Sequence, residues 1–163
     1  MQRHPDWAEG MSAFLRRRLA QPAVSADEAD LLRDVIVASR ADTAVQAIVS
    51  DALAEAATST ALRLLLLEVI ERSEFTAATL PASWRDRLTE HLLHADEAVA
   101  RRSIVAATRI GGDRFDAPLG KLAGDAGRNE GLRVARQLLL EVNAMGLPVG
   151  CEFLDMIDRK SVV

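Results

Sequence analysis

A chain of 163 residues, 49% hydrophobic and 27% charged, has the length and balance of one globular domain, which excludes a disordered or fibrous polymer. Its formal charge of -4 provides no general attraction to nucleic acid or an anionic membrane, and apolar runs such as residues 64–67, held between Arg63 and Glu68, fall far short of the ~20 residues that span a bilayer. Tyrosine is absent and aromatics are 4%, so the core must be Leu, Val, Ile and Ala, a composition that suits close helix packing better than a sheet sandwich.

Asp6, with Glu9 three residues on, reads as a capping box for a first helix whose stripe is Trp7, Met11, Phe14, Leu15 and Leu19. Pro22 lies in a connector. Ser25 and Glu28 repeat the capping chemistry for a second helix, which ends around Arg40 and is expected to bury Leu31, Leu32, Val35 and Ile36. Asp42 caps a third, with Val45, Ile48, Val49, Ala52 and Leu53 on one side. The fourth, over residues 60–73, has the broadest stripe (Leu62, Leu65, Leu66, Val69 and Ile70, widened by Leu64 and Leu67) and is expected to be the most enclosed.

Residues 74–80 read as a loop, with Pro81 in the first turn of a helix carrying Trp84, Leu88 and Leu92. Asp96 caps its partner, which carries Val99, Ile104, Ala106, Ala107 and Ile110 and stops at Gly111 and Gly112. Beyond that point the pattern predicts a short helix from Asp116 with Leu119, Leu122 and Ala123. A long helix carrying Leu132, Ala135, Leu138, Leu139, Val142 and Met145 follows, then a last one from Pro148.

When the second helix of each pair is aligned on its first stripe residue, taken as Leu31, Leu62, Val99 and Leu132, the successive offsets are 31, 37 and 33 residues. Helix-pair solenoids have periods in this range, because one pair cannot bury both faces and neighbours must stack. The run Ala95-Asp96-Glu97-Ala98-Val99, followed by Ala107, Ile110-Gly111, Leu119, Leu122, Asp125 and Leu132-Arg133, resembles the HEAT-repeat, armadillo-like family over roughly residues 62–146. The resemblance implies an all-α solenoid of about four antiparallel hairpins in a right-handed superhelix, with second helices on the concave side. On this reading residues 1–163 form one domain, with residues 1–59 weakly repeat-like, residues 60–146 the clearest repeats and residues 147–163 a terminal helix. Arg63 and Arg133 match the family's Arg position early in the second helix. His94 and Ala100 depart from the acidic residue and Arg that the family often places there.

Leu80-Pro81-Ala82-Ser83-Trp84, Phe115-Asp116, Leu119 and Asp125 also resemble helical segments of larger bacterial multidomain proteins that carry c-type cytochrome modules. Covalent haem would need Cys-x-x-Cys-His, and Cys151 is the chain's single cysteine. That lone thiol fits a reducing compartment, and residues 1–7 lack the apolar stretch of a secretory signal, so the expectation is a cytoplasmic protein or a piece of a larger one.

His91 and His94, three apart and near Glu90 and Asp96, have the spacing of a metal pair. The more economical reading is one histidine at a stripe edge and one in a solvated last turn. The HEAT-like di-iron hydroxylases use His-Glu pairs in that order, which this chain lacks. Arg16-Arg17-Arg18 reads as a solvated face, and no nucleophile-elbow, phosphate-loop or zinc-protease pattern occurs.

The remaining constellation is a set of arginines on consecutive second helices. Arg63, Arg101, Arg102, Arg109, Arg133, Arg136 and Gln137 are the candidate partner contacts, with Arg102→Glu expected to weaken binding without unfolding the domain. The bland reading is that they pair with Glu97, Asp125, Glu130 and Glu141. The expectation is therefore a non-catalytic scaffold for a protein partner, without cofactor or metal. The alternative is a phosphate- or nucleic-acid-binding module, which interleaved acids and missing stacking aromatics disfavour.

Overall fold

The computed structural model describes residues 5–21, 23–111 and 115. The expected elements beyond Phe115, with Arg133, Arg136, Gln137 and Cys151, lie outside the described residues. Six α-helices account for the described part, with no strand among them: α1 (Pro5–Leu19), α2 (Ala26–Ala38), α3 (Thr43–Ala54), α4 (Thr60–Arg72), α5 (Ala82–His91) and α6 (Glu97–Ile110). None of these helices is long and apolar enough to cross a membrane.

Short-range chemistry sets most boundaries. Ser25 and Glu28 make a reciprocal capping box on α2, so two otherwise unpaired amide groups are satisfied at once. Asp42 Oδ1 accepts from Ala44 N at 2.8 Å, and Asp96 Oδ1 accepts from Ala98 N at 2.9 Å and Val99 N at 3.3 Å. At the far end of α6, Gly111 takes φ +72°, a left-handed conformation that costs a glycine nothing, and its N–H closes on Ala107 O at 3.0 Å.

Three local expectations shift. Pro5 and Asp6 already lie within α1, so Asp6 is a first-turn residue and not the cap. Pro81 is itself the N-cap of α5 and makes no side-chain cap bond. Leu31 is 54% exposed, while Leu32 and Ile36 are the buried residues of α2. The N-caps Ser25, Ser59 and Asp96 therefore define the register of the even-numbered helices, with offsets of 34 and 37 residues instead of 31 and 37. In that frame Leu32 matches Leu66 and Ile36 matches Ile70, all of them buried.

Packing follows helix parity. α1 packs on α3 and α3 on α5; α2 packs on α4 and α4 on α6, with further contacts from α3 to α4 and α5 to α6. α4 sits between α2 and α6 and buries Leu62, Leu65, Leu66, Leu67, Val69 and Ile70. Two ties show that α4 and α6 run parallel. Thr60 Oγ1 donates to Asp96 Oδ2 at 2.9 Å between their N-termini, and Arg109 Nη1 meets Glu71 Oε1 at 2.7 Å between their C-terminal turns.

In the odd set, Trp84 is fully buried and donates Nε1–H to the Gln46 carbonyl at 2.9 Å, joining the first half of α5 to the first half of α3. Phe75 meets the Trp84 ring edge-on at 5.7 Å, an arrangement favoured by the ring quadrupoles. One continuous core runs from Leu15 through Leu53, Leu66 and Leu88 to Ile104 and Phe115.

Candidate functional site

The outer surface of the even-numbered helices carries a groove of about 520 Å³. Its apolar lining comes from Ala29 of α2, Ala61, Leu64 and Leu65 of α4, and Ala98 and Val105 of α6; Arg33, Glu68, Arg101 and Arg102 supply the charge. Helical spacing explains the composition. Each helical residue is rotated by about 100° from the one before, so Leu64, two positions from fully buried Leu66, and Val105, next to fully buried Ile104, are left half-buried and line the outer surface.

Glu68 and Glu71, one turn apart on α4, tie the three helices together. Glu68 faces Arg33 of α2 (Nε–Oε1 3.2 Å), Arg72 of its own helix (Nη2–Oε1 3.0 Å) and Arg102 of α6 (Nη2–Oε2 3.2 Å). Glu71 takes the second nitrogen of Arg102 (Nη1–Oε2 3.2 Å) and Arg109. Arg33 also pairs with Asp30, and that bond is the largest cause holding the Arg33 guanidinium above its ordinary pKa, opposed by desolvation and aided by Glu68. Arg33 Nε and Glu71 Oε2 are in charge contact without an aligned hydrogen bond, whereas Arg109 Nη1 donates to Glu71 Oε1 at 2.7 Å and Arg33 Nη2 to Glu68 Oε2 at 3.4 Å.

The sequence-expected contacts divide three ways. Arg101 and Arg102 line the groove, and Arg109 lies at the C-terminal end of the same charged network, with its side chain 60% exposed. Arg102 and Arg109 pair with Glu68 and Glu71 of α4, acids that the sequence reading did not single out. Arg63 lies outside the groove lining: its Nη2 donates to the carbonyls of Glu55 (2.7 Å) and Ala56 (3.2 Å), completing the C-terminus of α3, where a cation is favoured.

Arg33, Glu68 and the small residues Ala29, Ala61 and Ala98 were missed. A faint signal existed. Ala61 and Ala98 both stand two residues after their N-caps, and a small residue recurring there leaves room at a surface.

The two histidines form a different arrangement. Their rings stack at 5.4 Å with 7° between planes. His91 Nδ1 lies 2.8 Å from the Arg87 carbonyl, which can only accept, so Nδ1 carries the proton. His94 Nδ1 accepts from the Asp96 amide at 3.0 Å, so its neutral ring is protonated on Nε2. His94 thus sits beyond the end of α5, supporting the cap of α6, rather than in a last helical turn.

Burial is the main cause that lowers the His91 pKa; the Arg87 hydrogen bond opposes it, and His94 and Arg63 add to it. Asp96 is held below the ordinary carboxyl pKa, first by the Thr60 hydrogen bond and then by the α6 amides. Among the described residues, no group of three or more His, Cys, Asp or Glu is placed to hold a metal ion.

No family model matches the chain, and no solved structure matches it significantly. Short stretches are similar to curated enzymes. The chain is 64% identical over 36 residues to the phospho-2-dehydro-3-deoxyheptonate aldolase of Amycolatopsis methanolica, a match covering 22% of this chain and 18% of that protein. It is 66% identical over 29 residues to the Phe-sensitive enzyme of Escherichia coli K12, and 59% over 29 residues to the Trp-sensitive enzyme of Enterobacter agglomerans; each match covers 18% of this chain and 8% of the relative. The chain therefore spans less than a fifth of the length of the curated relatives it matches.

Proposed function

We propose that this chain is a non-catalytic, HEAT-like helical-repeat module, an α-solenoid that holds a protein partner on the face made by α2, α4 and α6. The groove across those three helices carries the reading. An apolar floor bounded by ordered charges is the surface composition that protein recognition uses, with burial providing affinity and charge providing orientation. Three observations support the solenoid: like-parity packing in chain order, the parallel run of α4 and α6, and cap offsets of 34 and 37 residues. Against the nucleic-acid alternative, Glu68 stands within the groove and neither Phe75 nor Trp84 lines it.

The test is a photo-crosslinker placed at Leu64 or Val105 in the groove and, as reference, at exposed Ala47 of α3 or Asp86 of α5, with the chain expressed in its native cell. A discrete protein adduct from the groove positions, absent from the reference positions, is the expected outcome. Equal labelling from both faces, or none from the groove, removes the assignment.

A second reading is favoured by the identity of the short matched stretches: the chain carries a segment in common with the aldolases and takes part in that reaction. Turnover of phospho-2-dehydro-3-deoxyheptonate by the purified chain tests it. The module reading expects none, since at most 22% of the chain is matched in these comparisons.

A further inference from the structure

The two histidines stand where α5 gives way to α6, outside the groove lining. His91 is 5% exposed, and its Nδ1–H is committed to the Arg87 carbonyl at 2.8 Å. Its ring stacks on that of His94, which through Nδ1 accepts the Asp96 N–H at 3.0 Å. An imidazole lone pair thus positions the N-cap of α6. Asp96 in turn holds the first turn of α6 through Oδ1, on the Ala98 and Val99 amides, and the start of α4 through Oδ2, on Thr60. One neutral ring therefore underlies two helix N-termini.

A proton on either ring disturbs this arrangement. On His94 it occupies Nδ1, so that an N–H faces the Asp96 N–H where a lone pair stood. On His91, burial first of all, and then the charges of His94 and of Arg63 on α4, resist it, while the Arg87 carbonyl and Glu90 favour it. Arg63 cannot easily withdraw, because its guanidinium is bonded to the α3 carbonyls of Glu55 and Ala56. Protonating both rings puts like charges 5.4 Å apart. Two carboxylates can compensate. Glu90 is 57% exposed and already paired with Arg87. Asp96 interacts with His94, but turning one of its oxygens to an imidazolium takes that oxygen from Ala98 and Val99 or from Thr60. By either route the start of α6 loses a bond.

We propose that His91 and His94 form a proton-operated clasp: with both rings neutral it keeps the α5–α6 corner closed, and proton uptake opens the first turn of α6 while the rest of the stack stays folded. Ala98, which lines the groove, belongs to that turn, so the clasp sets the shape of the groove's α6 edge whatever occupies it. The inference does not depend on the protein-binding reading above. A closed corner that takes up protons poorly and an open one that takes them up normally are linked by mass action, and acid populates the open one. With an ordinary histidine value of about 6.5 in the open form, lowering the pH from about 7.5 to 5.5 raises the open population by up to about 10-fold for each histidine.

The experiment is amide hydrogen exchange on the full chain at those two pH values, corrected for intrinsic rates, with the fully buried Val49 of α3 reporting on the whole fold. The Asp96 and Val99 amides should lose about 10-fold in protection beyond any loss at Val49. In the double variant His91→Phe, His94→Asn, a ring still fills the buried place and an amide oxygen stands near the former Nδ1, yet neither side chain can take up a proton, so the excess loss should vanish. No excess loss in the native chain, or an excess that survives in the double variant, overturns the proposal. Should that variant fail to fold, nitrogen resonances of the native chain decide. The His94 ring should carry its proton on Nε2 at about pH 7.5, and the Asp96 amide shift should follow the titration of that ring. A proton on Nδ1, or an Asp96 shift indifferent to the titration, overturns the clasp.

Discussion

Replacing Arg102 by glutamate perturbs the even-numbered face where its charges converge. Arg102 spans Glu68 and Glu71 at 3.2 Å each, with side-chain exposures of 33%, 17% and 9% for the three residues. Partly exposed ion pairs contribute roughly 0.2–1 kcal/mol apiece, so Arg102→Gln, which removes two attractions, should cost about 1 kcal/mol. Arg102→Glu removes the same attractions and sets a third carboxylate beside two. The added repulsion is of similar size, for a total of about 2 kcal/mol. The substitution should therefore lower stability, by an amount that leaves the domain folded.

Urea denaturation of both variants, followed by circular dichroism, reads the difference directly. The gap of about 1 kcal/mol between Gln and Glu should shrink in about 1 M salt, where the screening length is roughly 3 Å. Glu71→Lys should restore part of the loss in the Arg102→Glu background and destabilise by itself. Equal stability of the two variants, or a gap indifferent to salt, would refute the network argument.

Other perturbations separate the elements. Trp84→Ala should cost about 3–5 kcal/mol in the same assay, because it empties a fully buried site and removes the donor to Gln46; Trp84→Phe should cost clearly less. Leu32→Ala should cost about 2–4 kcal/mol and Leu31→Ala under roughly 0.5 kcal/mol, so equal losses would overturn the cap-based register. Ser25→Ala should cost about 1 kcal/mol through loss of the α2 capping box, and an unchanged urea midpoint would count against that cap.

The pH dependence has a definite sign. Burial lowers the His91 pKa in the folded chain, so the unfolded state binds more protons below the ordinary histidine value of about 6.5. The His91 contribution is fully present above that value and is lost as pH falls from it toward the depressed folded pKa. His91→Gln should flatten that slope, whereas the Asp96 effect appears only at lower pH, in the carboxyl range. A urea midpoint unchanged between about pH 7.5 and 5.5 in the native sequence would contradict the burial argument.

How much could be read beforehand depended on distance along the chain. Asp42, Asp96, the Ser25–Glu28 box and Gly111 were legible because a cap bonds an amide within a few residues or sets one backbone angle, and no distant contact intervenes. The stripes of α3, α4 and α6 were legible for the same reason, since periodicity fixes a buried side whatever lies against it. Leu31 and Leu32 were not separable: both fall at the edge of an apolar stripe, and the angle at which α4 meets α2 decides which one is covered.

By itself, the sequence determined the six described helices, several of their caps and most of the residues that leave water, because those follow from hydrogen bonds and solvation acting within a turn or two. Tertiary structure decided which carboxylate each arginine meets. Glu68 became the centre of the face, Arg63 was drawn to the α3 terminus and Trp84 to Gln46, because packing brings together residues such as Arg33 and Glu68, 35 positions apart, Gln46 and Trp84, 38 apart, and Glu55 and Arg63, eight apart. An ion pair is set by distance in space, and a linear pattern does not contain that distance until packing supplies it.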